Sequence, residues 1–351
     1  MFATNWDSNV GDRTLGVMTQ HSRLEETNMR IPVYRVCWLA LTLALFPISA
    51  NAQEYPLKKI VQIIVPFPAG SGTDTLVRLM ASELQKSMGG TFVVENRPGF
   101  FGVIGTDQAA KSAPDGYTLV VSSGAQHSLP KWLYKNVPYD AVSDFAHVGK
   151  WVDIGFMLLV HPSVPAKNLQ EFVAYAKSNP GKLAYGYGSA SSQLSAEMLN
   201  SLANIKTLGV PYKGQPPALT DLVAGVLQFM IADVLVGASF VTSGQLRALA
   251  VTPKTRVGYI STLPTIAELG FPDYDFSTWV GLAAPRGTPR NVVDRLNAES
   301  KKILANAEIR AKLEAMGMDV RPNGVSEQEA FVQATQAKFG EVVKDAGIQP
   351  Q

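Results

Sequence analysis

Short apolar runs alternate with segments of helical periodicity from Tyr55 onward, and this alternation limits the fold more than any other feature of the sequence. The candidate strands are IVQIIV, FVV, YTLVVS, FMLLVH, LAYGYG, FMIAD, LRALAV and WVGLAAP. Strands separated by amphipathic helices are typical of α/β layers built on mostly parallel sheets. The sequence therefore predicts an α/β fold.

The chain is long enough for two packed units. It has 351 residues, and a domain usually holds roughly 100–200. No repeat or long linker divides the sequence, so we expect two lobes joined by strands that cross near Asp153 and Phe276. Lobe 1 would then hold residues 53–153 and 276–351, and lobe 2 residues 154–275. The net charge of +2 gives no reason to expect nucleic acid as a partner.

The first 52 residues resemble a secretory signal peptide. Arg30 and Arg35 precede the apolar run VCWLALTLALFPIS, which ends in a small-x-small triplet at residues 50–52. The run is shorter than the ~20 residues that a membrane-spanning helix needs. We therefore predict cleavage after Ala52, location in the periplasm, and Met29 as the true start of translation.

Residues that would support catalysis or metal binding are scarce. The one cysteine, Cys37, lies within the predicted leader, so the mature chain would have neither a disulfide nor a thiol nucleophile. His127, His147 and His161 are widely spaced and form no HExxH motif, and the GxSxG motif of hydrolases is absent from the sequence. We expect a protein that is not an enzyme and that holds no metal or cofactor.

The segment PAGSGTD, residues 68–74, follows a strand, precedes a helix and is a candidate anion site. A helix N-terminus offers unpaired N–H groups and the positive end of the helix dipole. No lysine follows the glycines, and Thr75 replaces the third glycine of the dinucleotide fingerprint, so a phosphate-rich nucleotide fits poorly. A carboxylate needs only two or three donors and fits better. The alternative is a strand-to-helix turn capped by Asp74.

Other polar residues stand where strands end. A second strand-to-helix loop carries Ser189, Ser191 and Ser192, which either cap the helix or hold a ligand from the opposite side. Asp233 ends the run LQFMIAD, where ligands bind in open α/β sheets, and could accept a hydrogen bond from a cargo molecule or cap the next segment. Trp279, on a crossing strand, could line a cleft or pack in the core.

Six longer segments carry a resemblance to a known family. They are YPLKKIVQIIVPFPAGSGTDTLVRLMASEL, VVENRPGFFGVIGTDQAAKSAPDGYTLV, LVHPSVPAKNLQEFVAYAKSNPGKLAYG, VPYKGQPPALTDLVAG, LRALAVT and VVKDAGI. Together, and in this order, they resemble the Bug-type extracytoplasmic solute receptors of tripartite tricarboxylate transporters. The resemblance implies a two-lobed periplasmic binding protein fold, type II-like, that closes on a small carboxylate-bearing solute. It also implies integral membrane subunits of such a transporter as partners.

The resemblance further implies that the loop at residues 68–74 and the loop at residues 189–192 grip one carboxylate, partly through ordered water. A carboxylate needs donors rather than a buried cation, and a receptor must release its cargo, which explains why no lysine is present. The predicted cargo-binding residues are Phe67, Ala69, Gly70, Ser71, Gly72, Thr73, Asp74, Ser123, Ser189, Ala190, Ser191, Ser192, Asp233 and Trp279.

The chain departs from the family pattern at three positions. Phe100 and Phe101 stand where the family usually has glycine or alanine, and Gln193 stands where the second loop commonly ends in histidine. We expect the two phenylalanines to add an apolar wall at the cleft rim and to favour an aromatic or larger carboxylate.

Three other functional classes compete with a transport receptor. A carboxylate sensor that signals to a membrane kinase has the same sequence features. A hydrolase on this architecture would need a base-activated nucleophile, and none is recognisable. A cytoplasmic ligand-sensing regulator is disfavoured by the leader and by the lack of a helix-turn-helix segment.

Overall fold

The computed structural model describes residues 55–56, 59–256, 260–345 and 348–350. The predicted leader, its cleavage after Ala52 and the proposed start at Met29 lie outside these residues. Within the described ranges, no helix combines the length and the apolar character needed to cross a bilayer.

The described strands form one ten-stranded sheet. They are β1 (Ile60–Val65), β2 (Thr91–Asn96), β3 (Thr118–Ser123), β4 (Phe145–Val160), β5 (Ala184–Tyr187), β6 (Leu208–Pro211), β7 (Phe229–Asp233), β8 (Arg247–Val251), β9 (Ser277–Pro285) and β10 (Met318–Val320).

Helices follow most of the strands, as the alternation of the sequence predicts. They are α1 (Gly72–Met88), α2 (Val103–Ala110), α3 (Gly124–His127), α4 (Pro130–Leu133), α5 (Leu169–Ser178), α6 (Ala190–Ala203), α7 (Gln215–Val223), α8 (Val234–Thr242), α9 (Arg290–Ala305), α10 (Ala307–Ala315) and α11 (Val325–Asp345), with a 3₁₀ turn at Phe100–Gly102.

The sheet is parallel towards its two ends and antiparallel at its centre. Its order is β2-β1-β3-β9-β4-β7-β5-β6, with β8 and β10 also paired to β4. Strand β1 runs parallel to β2 and β3, and β5 runs parallel to β6 and β7. The long strands β4 and β9 are antiparallel to their neighbours. The α/β layers predicted from the sequence are therefore present.

Strand β4 joins the two halves of the sheet. From Phe145 to Gly155 it pairs with β9, and from Phe156 to Val160 it pairs with β7 and β8. This change of partner lies close to the predicted crossing at Asp153. The division into residues 53–153 with 276–351, and 154–275, stays a prediction that the change of partner supports.

Helix α1 shows how the sequence builds the layer beside the sheet. Leu76, Met80 and Leu84 recur at a spacing of one helical turn and are fully buried, whereas Arg78 is exposed. Each of these apolar side chains contributes about 1.5–3 kcal/mol by leaving water. Gly89 ends the helix in a left-handed conformation at φ 71°, and its N–H donates to Gln85. The buried face fixes the direction in which the N-terminus of α1 points.

Candidate functional site

The loop between β1 and α1 is folded by its own side chains. Ser71 is the N-cap of α1, and its Oγ accepts a hydrogen bond from the Asp74 N–H at 3.2 Å. Asp74 Oδ2 accepts from the Gly70 N–H at 2.9 Å, which holds Gly70 at φ 79°. Burial raises the pKa of Asp74, but hydrogen bonds from Arg78, Asn96 and Gly70 outweigh it and leave the pKa below its ordinary value. Ionised Asp74 therefore holds the loop, and Ser71 caps the helix.

The loop before α6 has the same design. Ser189 is the N-cap, and its Oγ accepts from the Ser192 N–H at 3.2 Å. Ser192 Oγ accepts in return from the Ser189 N–H at 3.2 Å, which completes a capping box. Ser191 points elsewhere and donates to Thr278 Oγ1 on β9 at 3.3 Å. Ser189 therefore caps the helix, Ser192 supports the cap, and Ser191 faces β9.

Asp233 ends β7 and lies against the start of α1. It occupies the N-cap position of α8, yet its side chain makes no capping hydrogen bond. Its backbone N–H donates to Gln215 Oε1 at 2.9 Å. A Cβ built on Gly72 would lie 3.2 Å from Asp233 Oδ2, so the end of β7 and the first turn of α1 are close neighbours.

These elements enclose one small cavity of about 20 Å³. A single ordered water needs roughly 10–15 Å³ on this scale. The cavity is lined by Phe67, Pro68, Ser71, Thr73, Ser123, Ala125, Ile154, Phe156, Gly188, Ser189, Ser191, Gly214, Gln215, Asp233, Thr278 and Val280.

The structure brings part of the predicted set together. The predicted residues that line the cavity are Phe67, Ser71, Thr73, Ser123, Ser189, Ser191 and Asp233. The predicted residues outside its lining are Ala69, Gly70, Gly72, Asp74, Ala190, Ser192 and Trp279. Gly72 and Ala190 still matter through their backbone, because the N–H groups of a first helical turn have no intrahelical acceptor. The roles of all these residues in cargo binding stay predictions.

Trp279 lies outside the cavity because of strand geometry. Side chains alternate between the two faces of a strand, and on β9 the cavity-facing positions are Thr278 and Val280. Trp279 therefore points to the other face, where it is 2% exposed and packs edge-on against Phe331 at 5.6 Å. The role of Trp279 in cargo binding stays a prediction, and its side chain does not line the cavity.

Several lining residues were not predicted from the sequence. Ile154 and Phe156 line the cavity from β4, again at alternating positions, and Gln215 does so from the first turn of α7. Gly188 and Gly214 contribute backbone, and a Cβ on Gly188 would lie 2.0 Å from the Gly214 carbonyl carbon. The run GQPP, with proline directly after Gln215, is typical of a helix start and was the available signal for the α7 contribution.

The two unusual phenylalanines lie beside the cavity rather than in its wall. Phe101 stacks on Tyr134 at 5.7 Å and on Tyr187 at 5.6 Å, and Phe100 is 51% exposed. Both adopt positive φ angles, 42° for Phe100 and 52° for Phe101. Phe101 therefore links the segment after β2 to β5, and its effect on cargo size stays a prediction.

The electrostatics of the cavity rest on one group. Asp233 is the only ionisable residue among those that line it. Burial raises its pKa to about 6, and a hydrogen bond from Gln215 lowers it only in part. Within the described part of the chain, His, Cys, Asp and Glu side chains form no group of three that could hold a metal ion. Apart from Asp233, the side-chain polar groups that line the cavity are neutral hydroxyl groups and the Gln215 amide.

Comparison with known proteins identifies the family. The sequence model of the family described as "Tripartite tricarboxylate transporter family receptor" (TctC) matches residues 76–348. The chain belongs to this receptor family. The receptor is 34% identical to Protein BugT of Bordetella pertussis over 306 residues, which cover 86% of this chain and 92% of BugT. The resemblance to Bug-type receptors is therefore confirmed.

Solved structures confirm the two-lobed periplasmic binding protein fold of the receptor. The structure of R. palustris Rpa4515 with adipate is 33% identical, has a TM-score of 0.83, and the match covers 85% of this chain and 100% of that one. MatC from Rhodopseudomonas palustris with bound malate is 31% identical, has a TM-score of 0.77, and the match covers 81% and 98%.

Proposed function

We propose that this receptor binds a small carboxylate-bearing solute in the periplasm and delivers it to integral membrane subunits of a tripartite tricarboxylate transporter. One observation carries the proposal. The N-termini of α1 and α6, from opposite halves of the sheet, converge on one cavity whose lining contains hydroxyl groups and no lysine or arginine. Such a site suits an anion that accepts several hydrogen bonds and carries little charge.

The donors are assigned from the capping pattern. Ser71 and Ser189 use their hydroxyl oxygens as acceptors for the helix N–H groups of residues 74 and 192. The N–H groups of Gly72 and Thr73 on α1, and of the corresponding first turn of α6, remain available to a cargo carboxylate. Because the relatives Rpa4515 and MatC were solved with adipate and malate, we place the cargo among aliphatic dicarboxylic acids of that size.

Binding requires the cleft to open. A cavity of about 20 Å³ holds roughly one water and cannot contain a dicarboxylic acid. The cargo therefore reaches an open form and stabilises a closed form that contacts it from both sides. Pro68 and Gly214 lie in contact across the cleft, and we expect the loops that carry them to move apart when the cleft opens.

The same cavity argues against catalysis. Turnover of an ester would need a hydroxyl nucleophile activated by a neighbouring base. Ser191 donates to Thr278 at 3.3 Å, and Ser123 donates to the side-chain oxygen of Gln126. Neither hydroxyl is bonded to a histidine or a carboxylate, so we assign the receptor no enzymatic activity.

A thermal-shift screen of the purified mature receptor tests the proposal. The panel holds mono-, di- and tricarboxylates, their amides as uncharged controls, and aromatic and amino-acid members. A ligand that binds only the folded state at a hundredfold excess over its Kd stabilises that state by about 2.7 kcal/mol. We expect shifts with dicarboxylates and none with the amides. Equal shifts for acids and amides, or no shift with any acid, would reject a carboxylate site.

A further inference from the structure

The cavity combines a buried carboxyl group with the place proposed for a cargo carboxylate. Asp233 is 7% exposed, and its Oδ2 faces the first turn of α1, 3.2 Å from where a Cβ on Gly72 would lie. That turn carries the N–H groups assigned above to the cargo. In the closed form that the cargo stabilises, two carboxyl groups would therefore share the space between β7 and α1, and closure would exclude most water from it.

Two ionised carboxylates cannot share such a space at low cost, because little solvent separates their charges. No residue that lines the cavity supplies a compensating positive charge. The charged side chains on the elements around Asp233 are either paired with other residues or exposed. They are Asp74, Arg78, Glu83 and Lys86 on α1, Lys150 and Asp153 on β4, Glu197 on α6, Lys213 before α7 and Asp221 on α7, while α8 contains no ionisable residue. The titratable His147 on β4 is hydrogen-bonded to Ala141 O.

We propose, building on the proposed function, that Asp233 is a neutral carboxylic acid in the loaded receptor, so that binding of a carboxylate cargo takes up one proton from solvent. The proton balance of binding is as follows. The free receptor, with Asp233 ionised, binds one cargo carboxylate and takes up one proton. In the resulting complex the Asp233 O–H donates to a cargo oxygen. Asp233 thus acts as a hydrogen-bond donor and selects anionic cargo over cationic cargo.

Three further observations support this assignment. The Asp233 side chain makes no capping hydrogen bond to α8, so protonation disrupts no helix cap. The Asp233 backbone N–H donates to Gln215 Oε1 at 2.9 Å, which fixes the end of β7 beside the cavity. Burial raises the pKa of Asp233 to about 6, so the free receptor takes up a proton at this group more easily than at an exposed carboxyl group.

Isothermal titration calorimetry of the full mature receptor with adipate, in buffers of different ionisation enthalpy from pH 6.5 to 9, measures the proton directly. We expect uptake close to one proton per bound adipate at pH 8. Affinity should fall about tenfold per pH unit above pH 7, because one proton is linked to binding. Adipate is fully ionised over most of this range, so the proton goes to the receptor.

Two variants assign the proton to its residue. Asp233→Asn, which is neutral at every pH and still offers a donor, should bind adipate without proton uptake and with the same affinity from pH 7 to 9. Asp221→Asn, whose side chain is bonded to Tyr212 away from the cavity, should keep the uptake of the wild type. If Asp233→Asn does not fold, a lack of proton uptake by the wild type still overturns the inference.

The outcomes separate this inference from the proposed function. Adipate binding without proton uptake would overturn the inference and leave a carboxylate receptor intact. Uptake that persists in Asp233→Asn would overturn it as well. Binding of aspartate but of no dicarboxylate without an amine would show that Asp233 pairs with a cation, against the inference. No binding of any carboxylate would overturn both.

Discussion

Gly214 and Pro68 touch across the cleft, and a Cβ built on Gly214 would lie 2.4 Å from Pro68 Cγ. Pro68 follows β1 in one half of the sheet, and Gly214 follows β6 in the other. Gly214 has φ 169°, an extended conformation that any residue adopts, so its small size and not its backbone freedom is what this position requires. We expect opening of the cleft to separate this contact, which makes it a probe of closure.

Replacing Gly214 by alanine should therefore weaken every cargo alike. The added methyl group overlaps a rigid proline ring, and overpacking of this kind costs about 1–3 kcal/mol, roughly 5- to 150-fold in affinity. Calorimetric titration with the tightest acid of the panel measures the loss. Gly324→Ala is the matched control, because a Cβ there meets only the flexible Glu327 side chain, at 3.4 Å. Unchanged affinity in Gly214→Ala would show that this contact plays no part in closure.

We expect one serine at the start of α6 to contribute to stability and another to contribute to cargo binding. Ser192 completes the capping box and lies outside the cavity lining, so Ser192→Ala should cost about 1 kcal/mol in the free energy of unfolding with little change in affinity. Ser191 lines the cavity without capping, so Ser191→Ala should weaken cargo binding and leave stability nearly unchanged. Urea unfolding and calorimetric titration of both variants test this. The reverse division would show that the assignment of the two serines is wrong.

Acid should destabilise the receptor through His147. Burial lowers its pKa to about 4, although its ring Nε2 hydrogen-bonds Ala141 O at 3.1 Å, which by itself raises the pKa. A pKa below the unfolded value of ~6.5 means that this stability is complete above pH 6.5 and is lost as the pH falls towards 4. At pH 5 the loss is about 2 kcal/mol relative to pH 7.5. Asp233 has a raised pKa in the folded state, so its contribution to stability increases as the pH falls.

A neutral replacement of His147 isolates its contribution to the pH dependence of stability. His147→Gln keeps a donor for Ala141 O and cannot become charged. The difference in unfolding free energy between wild type and His147→Gln should shift by about 2 kcal/mol between pH 7.5 and pH 5, measured by urea unfolding. A difference that is the same at both pH values would mean that His147 accepts a proton in the folded state.

Phe101 should matter for stability and not for the ranking of cargoes. Its ring stacks on Tyr134 and Tyr187 and does not line the cavity. Loss of both contacts in Phe101→Ala should cost about 1–3 kcal/mol. Phe100→Ala is the matched control, since Phe100 also has a positive φ but is 51% exposed, and it should cost less. A changed preference between aromatic and aliphatic acids in Phe101→Ala would restore the cleft-rim role predicted from the sequence.

The sequence predicted the elements with strong local signals. Apolar runs marked most strands, and the capped loop before each helix marked the N-termini of α1 and α6. The full length of β4 was missed because Gly149, Lys150 and Gly155 interrupt its apolar pattern. Strand β10, Met318–Val320, is too short to show a period.

The cavity was predicted less completely than the fold, for a physical reason. Side chains of Thr278 and Gln215 reach it only because β9 pairs with β3 and β4 and because α7 follows β6, and such long-range pairings leave no local mark in the sequence. Trp279 was placed in the site for the same reason, since the face of a strand depends on its register. Residues whose role depends on the local turn, such as Ser71 and Ser189, were recognisable.

In the proposed complex, the first turns of α1 and α6 hold an ionised carboxylate. Calorimetric titration of the mature receptor with the tightest acid of the panel, with the monomethyl ester of that acid and with its dimethyl ester tests this directly. We expect no measurable binding of the dimethyl ester and, since one free carboxylate remains, weaker binding of the monoester than of the acid. Equal affinity for the acid and the dimethyl ester would contradict it.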